Sequence, residues 1–292
     1  MIASLKDGNS KFKTRNSGVP AGEGESGGPA HASRGWEYYL SYLRSLLFTN
    51  NLIVLYTVVC GALSLAGSVF DTSGRWQHLW ARTWSWLILK TSGVRVRVKG
   101  LENVPRETAI YCANHQSAMD IPILFVYLPV QFRFLAKRPL FNLPFLGWHL
   151  YRSGHIPVDR GQPRKAFRSF DQAAERIRSG VPVVLFPEGT RSRDGALKPF
   201  KGGSFYLAIQ ARVPVVPITL NGTRHVHEPD TLHVRGGHTE MIVHPPISTT
   251  ELNAQDVHAL SAQVYSCIAS RFVPPEEWEQ GTGNRGQGTG LK

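Results

Sequence analysis

A histidine followed five residues later by an aspartate is the first feature of this chain that could do chemistry: His115 and Asp120, at the end of a short apolar run. Ala109-Ile110-Tyr111-Cys112-Ala113 reads as a buried strand that gives way to a polar turn, Asn114-His115-Gln116-Ser117. Ile121-Pro122 then opens a helix, because a proline in the first turn gives up an N–H that has no partner anyway. A strand, a His-bearing turn and a helix N-terminus mark the point where open α/β proteins place their chemistry. An imidazole is a general base near neutral pH if a partner fixes its tautomer and stabilises the imidazolium. The five-residue spacing does not put both side chains on one helix face, but across a turn it brings the carboxylate to the ring. The competing local reading is Asp120 as a plain helix N-cap.

Three further stretches carry chemically useful residues. Ile156-Pro157-Val158-Asp159-Arg160 ends an apolar run in a charged pair. Phe186-Pro187-Glu188-Gly189-Thr190-Arg191-Ser192-Arg193 ends a buried strand in an acid, a glycine and two arginines. Val213 to Ile218 is a proline-marked apolar strand. Lys137 and Lys201 also follow apolar runs, and from Gln131 to Arg168 the basic residues face a single acid, Asp159. A guanidinium grips phosphate bidentately, and a turn after a strand adds backbone N–H donors. Arginines at two strand ends beside a His turn point to a phosphate-binding site.

The elements that must position these residues follow from patterning. The 292 residues are 42% hydrophobic, enough for one sizeable α/β domain with accessory segments. Residues 1–35 have few large apolar side chains and read as a disordered tail without a secretory signal. No charged residue occurs from Ser45 to Phe70; as a helix this run spans on the order of 39 Å, longer than a hydrocarbon core. It fits a transmembrane helix or a hairpin in one leaflet. The next stretch, Arg75 to Lys90, has Trp76, Trp80, Trp84 and Leu87 at helical spacing, suited to a headgroup layer or to an amphipathic helix packed on the domain. Residues 36–90 are thus expected to be membrane-anchoring helices. Basic residues flank them on both sides, so charge gives no orientation.

Strands then alternate with helices over about 91–275: an edge strand at Val94–Lys99, a helix from Ile121 to Leu128, a strand at Phe132–Ala136, and an apolar helical stretch from Pro139 to Tyr151 interrupted at Pro144. An amphipathic helix from Ala166 to Ile177, a strand at Val181–Phe186 and a helix at Gly203–Ala211 follow. The strand beginning at Val213 carries prolines that suggest an edge position or strand ends. Strands near 232–235 and 239–244, a helix near 250–271 and a disordered tail over 276–292 complete the expectation.

With its four blocks in view, the chain resembles the PlsC-type 1-acyl-sn-glycerol-3-phosphate acyltransferases over roughly residues 75–245. Asn114 to Asp120 matches the family's N-H-x4-D block, and Phe186 to Arg191 its F-P-E-G-T-R block. Gly154 to Arg160 is similar to the second block, with Pro157 a departure, and Val213 to Ile218 is similar to the fourth. The resemblance implies a single acyltransferase domain of α/β class, a mixed sheet flanked by helices behind an N-terminal membrane helix or hairpin. It implies transfer of a fatty acyl group from acyl-CoA or acyl carrier protein to the sn-2 hydroxyl of lysophosphatidate, giving phosphatidic acid. A sibling acyltransferase for another lysophospholipid or acceptor is the alternative. On this resemblance His115 is the base and Asp120 its orienting partner, while Arg160, Glu188, Gly189, Thr190 and Arg191, with Lys137 as a helper, hold the glycerol phosphate. A thioester is already activated, so no cofactor, metal or covalent serine is expected.

The net charge of +12 would also suit nucleic acid, but no nucleic-acid motif occurs and the basic residues cluster at strand ends. Gly202-Gly203-Ser204-Phe205-Tyr206 is not a G-x-S-x-G elbow, and no P-loop is present. His225, His227, His233, His238 and His244 lack a fixed metal-ligand spacing, and Cys112 lies within the expected strand as core. The three separated cysteines favour a reducing compartment, with the catalytic domain facing the cytoplasm. The oligomeric state is not legible.

Overall fold

The computed structural model describes residues 35–71, 73–158 and 173–282. Strands β1 (Val94–Lys99), β2 (Ile110–Ala113), β3 (Arg133–Lys137), β4 (Ile156–Val158), β5 (Val183–Leu185), β6 (Val215–Asn221) and β7 (Gly237–Val243) form one sheet in the order β1-β7-β6-β2-β5-β3-β4. From β6 across to β4 all neighbours are parallel; β7 runs antiparallel to β6, and β1 parallel to β7. The sheet is therefore mixed, as expected, and β1 is an edge whose Val94 side is buried while Arg95, Arg97 and Lys99 are exposed.

Successive strand residues feed opposite faces. Ile110 and Cys112 join Val183, Leu185 and Val215 in one core layer; Tyr111 and Ala113 join Val184, Val216 and Leu220 in the other. Helices α2 (Arg75–Ser92) and α3 (Asp120–Tyr127) cover the Tyr111 face, and α5 (Gly203–Ala211), α7 (Val257–Ala269) and helical residues 173–178 the Cys112 face. Burial pushes the Cys112 thiol far up, the signature of core packing.

Several expectations need correcting. The proline-marked strand is not an edge: β6 is fully buried between β7 and β2, and while Pro214 does mark its start, Pro217 lies in its interior. Pro217 is tolerated there because its nitrogen faces a break in pairing, between the Ile218–Val243 pair and the Val215–Ile247 bridge, where only His244 N–H returns to the Pro217 carbonyl at 2.9 Å. The apolar stretch from Pro139 is interrupted around Pro144 as expected, but its first half is a 3-10 turn over Arg138–Asn142 and only the second is an α-helix, α4 (Leu146–Arg152), with Phe145 at φ 60° between them. The strand near 232–235 is reduced to a His227–Val234 bridge beside the short helix α6 (Thr223–Val226). The C-terminal segment is helical as far as Thr282, as α8 (Pro275–Thr282), with Trp278 buried and its indole N–H on the His238 carbonyl at 3.2 Å. The expected tail over 1–34, the final residues from 283, and Asp159, Arg160 and the first part of the helix from Ala166 lie outside the described residues.

The N-terminal segment forms helix α1 (Trp36–Gly67), with a π-helical turn over Ser45–Thr49, among the described residues the one helix long and apolar enough to cross a membrane. It is amphipathic in an inverted sense. Its buried positions are Ser45, Thr49, Cys60, Ser64 and Ser68 (the last at its C-cap), while Leu47, Phe48, Val54, Leu55, Val58 and Val59 are exposed. The small polar face is satisfied by the rest of the fold. Ser45 Oγ donates to the Val234 carbonyl at 2.8 Å and accepts the Val234 N–H at 3.1 Å. Further along, the Trp84 indole donates to Thr57 Oγ1 at 3.0 Å and Ser64 Oγ bonds His149 Nδ1 at 2.8 Å. Helix α2 packs on the domain through Ala81, Ile88 and Leu89 and leaves Leu79 and Trp86 outside.

Candidate active site

Because β2, β5, β3 and β4 are adjacent and parallel, their C-terminal ends share one edge of the sheet, and the His turn, the Phe186–Arg191 segment and Lys137 emerge together there. His115 Nδ1 lies 2.7 Å from Asp120 Oδ2, which also accepts the N–H groups of Gln116 at 2.8 Å and Ser117 at 2.9 Å. Asp120 therefore reaches back into the turn and orients the ring, and the plain N-cap reading gives way. The carboxylate holds the proton on Nδ1 and leaves the Nε2 lone pair to act as a base. Asn114 bridges the turn to β6, donating to the Leu220 carbonyl at 2.9 Å and accepting the Leu220 N–H at 2.7 Å.

The second segment grips the same turn. Glu188, only 3% exposed, accepts the His115 N–H at 2.7 Å on one oxygen and the Lys198 N–H at 3.3 Å on the other. Burial pushes its carboxyl up to about 7, against the lowering effect of those two amides. Ser192 N–H donates to the His115 carbonyl at 2.9 Å, so both backbone polar groups of His115 are bound to this segment. Phe186 stacks on the imidazole with centroids 3.9 Å apart, Phe134 stacks beyond it, and His155 stacks on Phe134. His155 accepts the Phe134 N–H on Nδ1 at 2.8 Å, and burial holds its pKa well down, so it is neutral.

Gly189 turns the chain at φ 78°, where a Cβ would stand 2.9 Å from Lys201 Nζ. Arg191 then extends outward, its carbonyl accepting from Lys198 Nζ at 2.9 Å and its guanidinium 3.4 Å from Asp230, which also meets Arg193 at 3.4 Å. These exposed pairs are weak and readily exchanged for a stronger anion.

A cavity of about 530 Å³ opens beside the imidazole. His115, Lys137, Thr190 and Arg191 line its polar side; Phe186, Phe134 and Leu135 continue it inward to a wall of Thr57, Cys60, Gly61, Trp80 and Trp84 from α1 and α2. Of the eight residues expected to form the site, four reach this cavity, while Asp120, Glu188 and Gly189 build the turns behind it and Arg160 lies outside the described residues. Both Glu188 oxygens meet backbone amides, and Glu188 is not among the residues lining the cavity. The sequence reading missed Phe186 as a platform for the imidazole, Ser192 and Lys198 as braces, and the cavity wall from α1 and α2. An aromatic ending a strand and small residues in an apolar helix carry no signal of partners so far along the chain.

A family model described as acyltransferase matches residues 95–221. A 1-acyl-sn-glycerol-3-phosphate acyltransferase of Saccharomyces cerevisiae is 33% identical over 233 residues, covering 77% of this chain and 75% of that one. A chloroplastic 1-acyl-sn-glycerol-3-phosphate acyltransferase of Brassica napus is 36% identical over 183 residues, 61% of this chain and 53% of its own. The chain thus spans about half the length of the chloroplast relatives it matches. Among solved structures, the PlsC 1-acyl-sn-glycerophosphate acyltransferase of Thermotoga maritima superposes with a TM-score of 0.70 at 24% identity, over 85% of this chain and 98% of that one.

Proposed function

As the chain belongs to the acyltransferase family of the PlsC-type 1-acyl-sn-glycerol-3-phosphate acyltransferases, we propose that it transfers a fatty acyl group from a thioester to the sn-2 hydroxyl of lysophosphatidate, giving phosphatidic acid. The observation that carries this reading is one cavity bounded by a carboxylate-oriented imidazole, by Lys137 and Arg191, and by an apolar interior. His115 Nε2 takes the hydroxyl proton as the oxygen attacks the thioester carbonyl. The tetrahedral adduct collapses with loss of the thiolate, which takes the proton back from the imidazolium. Asp120 stabilises that imidazolium while it lasts. The acceptor's phosphate sits at Arg191 and Lys137, with the Gly189–Thr190 backbone beside it, and an acyl chain runs past Phe186 and Phe134 toward α1. The donor thiol belongs to coenzyme A or to acyl carrier protein.

The same reading puts the protein at a membrane surface with α1 lying along one leaflet. Hydrogen bonds tie α1 to the rest of the fold near both ends, from Ser45 to Val234 and from Ser64 to His149, which does not suit a helix crossing the bilayer away from the domain. Its exposed leucines, valines and phenylalanine then face lipid. All three cysteines are free thiols, in keeping with a cytoplasmic catalytic face.

The test is Arg191→Ala assayed with lysophosphatidate and acyl-CoA. A ground-state contact from a charged group is worth about 1.5–3 kcal/mol, so the KM for lysophosphatidate should rise roughly 10- to 150-fold with that for acyl-CoA nearly unchanged. A rise confined to acyl-CoA would move Arg191 to the donor site.

A further inference from the structure

The segment Lys137–Arg152 is an apolar surface set apart from α1 and α2 in sequence. Leu143, before α4, and Trp148 and Tyr151 on it are 47%, 56% and 77% exposed, although Gly147 and Leu150 of α4 are buried. One face of α4 is thus seated in the fold and the other presents two large aromatic rings to the outside. Lys137 and Arg138 precede this surface, Arg152 closes it, and no acid occurs between them. Aromatic side chains framed by cations, without acids, suit an anionic lipid interface, where the rings occupy the headgroup layer and the cations meet phosphate.

Two contacts make this surface continuous with the lipid-facing helix. Arg152 Nε donates to Ser68 Oγ at 3.2 Å and Ser64 Oγ bonds His149 at 2.8 Å, so α4 sits directly against the C-terminal end of α1. Between them, a Cβ on Gly61 would stand 3.9 Å from the Phe145 Cβ. Leu140 and Phe145 line the cavity and are 37% and 40% exposed, so this segment forms both the cavity's edge and the foot of the aromatic surface.

We propose that Lys137–Arg152 is a second membrane-docking element, which seats on an anionic leaflet beside α1 and sets the Leu140–Phe145 wall of the cavity in the lipid layer. An acyl chain then reaches His115 laterally from the leaflet, without crossing water. The passage of the chain rests on the lysophosphatidate reading above; the docking does not.

The test uses full-length Trp148→Asp and Leu143→Asp, two positions outside the cavity lining. Binding to vesicles of phosphatidylcholine with phosphatidylglycerol is measured by sedimentation at limiting lipid, and kinetics with vesicle-borne and with short-chain, water-soluble lysophosphatidate. Each substitution should weaken vesicle binding roughly tenfold, the worth of one buried large apolar side chain. The KM for vesicle-borne substrate should rise in step, while kcat/KM for the soluble substrate stays within about twofold. Arg152→Gln should cut the preference for vesicles containing phosphatidylglycerol over phosphatidylcholine alone roughly fivefold, the worth of one surface cation of three. Unchanged vesicle binding would overturn the proposal. So would an equal loss on both substrates, which would make the segment part of the cavity alone, or a detergent-solubilised dimer that the variants dissociate, which would give the face to a second copy. If the wild type acylated no lysophosphatidate, the functional reading would fail while the sedimentation arm still decided the docking.

Discussion

Replacing Glu188 with glutamine separates two roles that the F-P-E-G-T-R segment could give this acid. The carboxylate is buried, with the His115 amide at 2.7 Å on one oxygen and the Lys198 amide at 3.3 Å on the other. Glutamine keeps the shape but offers one acceptor, and its NH2 must face one of the two N–H groups. The shorter bond should keep the oxygen, so the Lys198 side loses its anchor and the bond to His115 loses its charge assistance. If all of a charged hydrogen bond's 1.5–3 kcal/mol were expressed as misplacement of the imidazole, kcat would fall about 10- to 150-fold, which is the ceiling on the expected loss. The KM for lysophosphatidate should move less than about twofold.

Stability supplies an independent reading. A carboxyl raised from 4.5 to about 7 corresponds to about 3 kcal/mol of penalty for the buried charge above pH 7. As pH falls below 7 the folded protein takes up a proton that the unfolded chain does not bind until near 4.5, so the fold gains stability across that window. Glu188→Gln binds no proton and should lose that rise in Tm. At pH 8, relief of the buried charge roughly offsets the lost acceptor, about 1–3 kcal/mol, so Tm there should change little. The assays are steady-state kinetics with both substrates varied and thermal melts from pH 5 to 8. A large rise in the lysophosphatidate KM with kcat retained would refute the reasoning and return Glu188 to the phosphate.

Asp120→Asn should lower kcat by roughly 10² to 10⁴ with intact melting, because the imidazole loses the charge that holds its tautomer; near-normal turnover would leave Asp120 only a role in shaping the turn. Gly61→Phe should cut kcat/KM for long acyl donors more than for short ones, since Gly61 lines the far wall of the cavity, and a donor chain-length series reads this directly. Gly189→Ala should cost about 1–3 kcal/mol of stability from a side chain at φ 78° against Lys201, measured as a denaturant midpoint shift.

The His115–Asp120 contact was legible because its grammar is local: a strand, a turn and a helix start within a dozen residues put the two side chains in reach of each other. The α/β alternation was legible for the same reason, through period-two and 3.6-residue patterns in single segments. Pro217 misled because the rule that confines proline to edges presumes an unbroken neighbour, and the break in pairing after β7 lies some 27 residues further along, where nothing in β6 announces it. Glu188 sits in a recognisable block, yet its partner is the amide of His115, 73 residues upstream, and backbone partners leave no trace in residue type. Trp278 was passed over because one buried indole is too faint a signal in a polar terminal segment.

The inverted face of α1 bears on how the protein is made. Ser45 completes its bonds only when the loop carrying Val234 exists, 189 residues later, and at about 5–20 residues per second the ribosome needs roughly 10–40 s to deliver it. Helix formation takes about a microsecond or less, so α1 is complete long before its seat. For that interval the serine face waits without its partners, while the leucine- and valine-rich face is exposed both before and after the helix is seated. A membrane present during synthesis could take up that apolar face from the start, and synthesis in its absence should yield aggregate from a chain whose β-strands are in themselves sound.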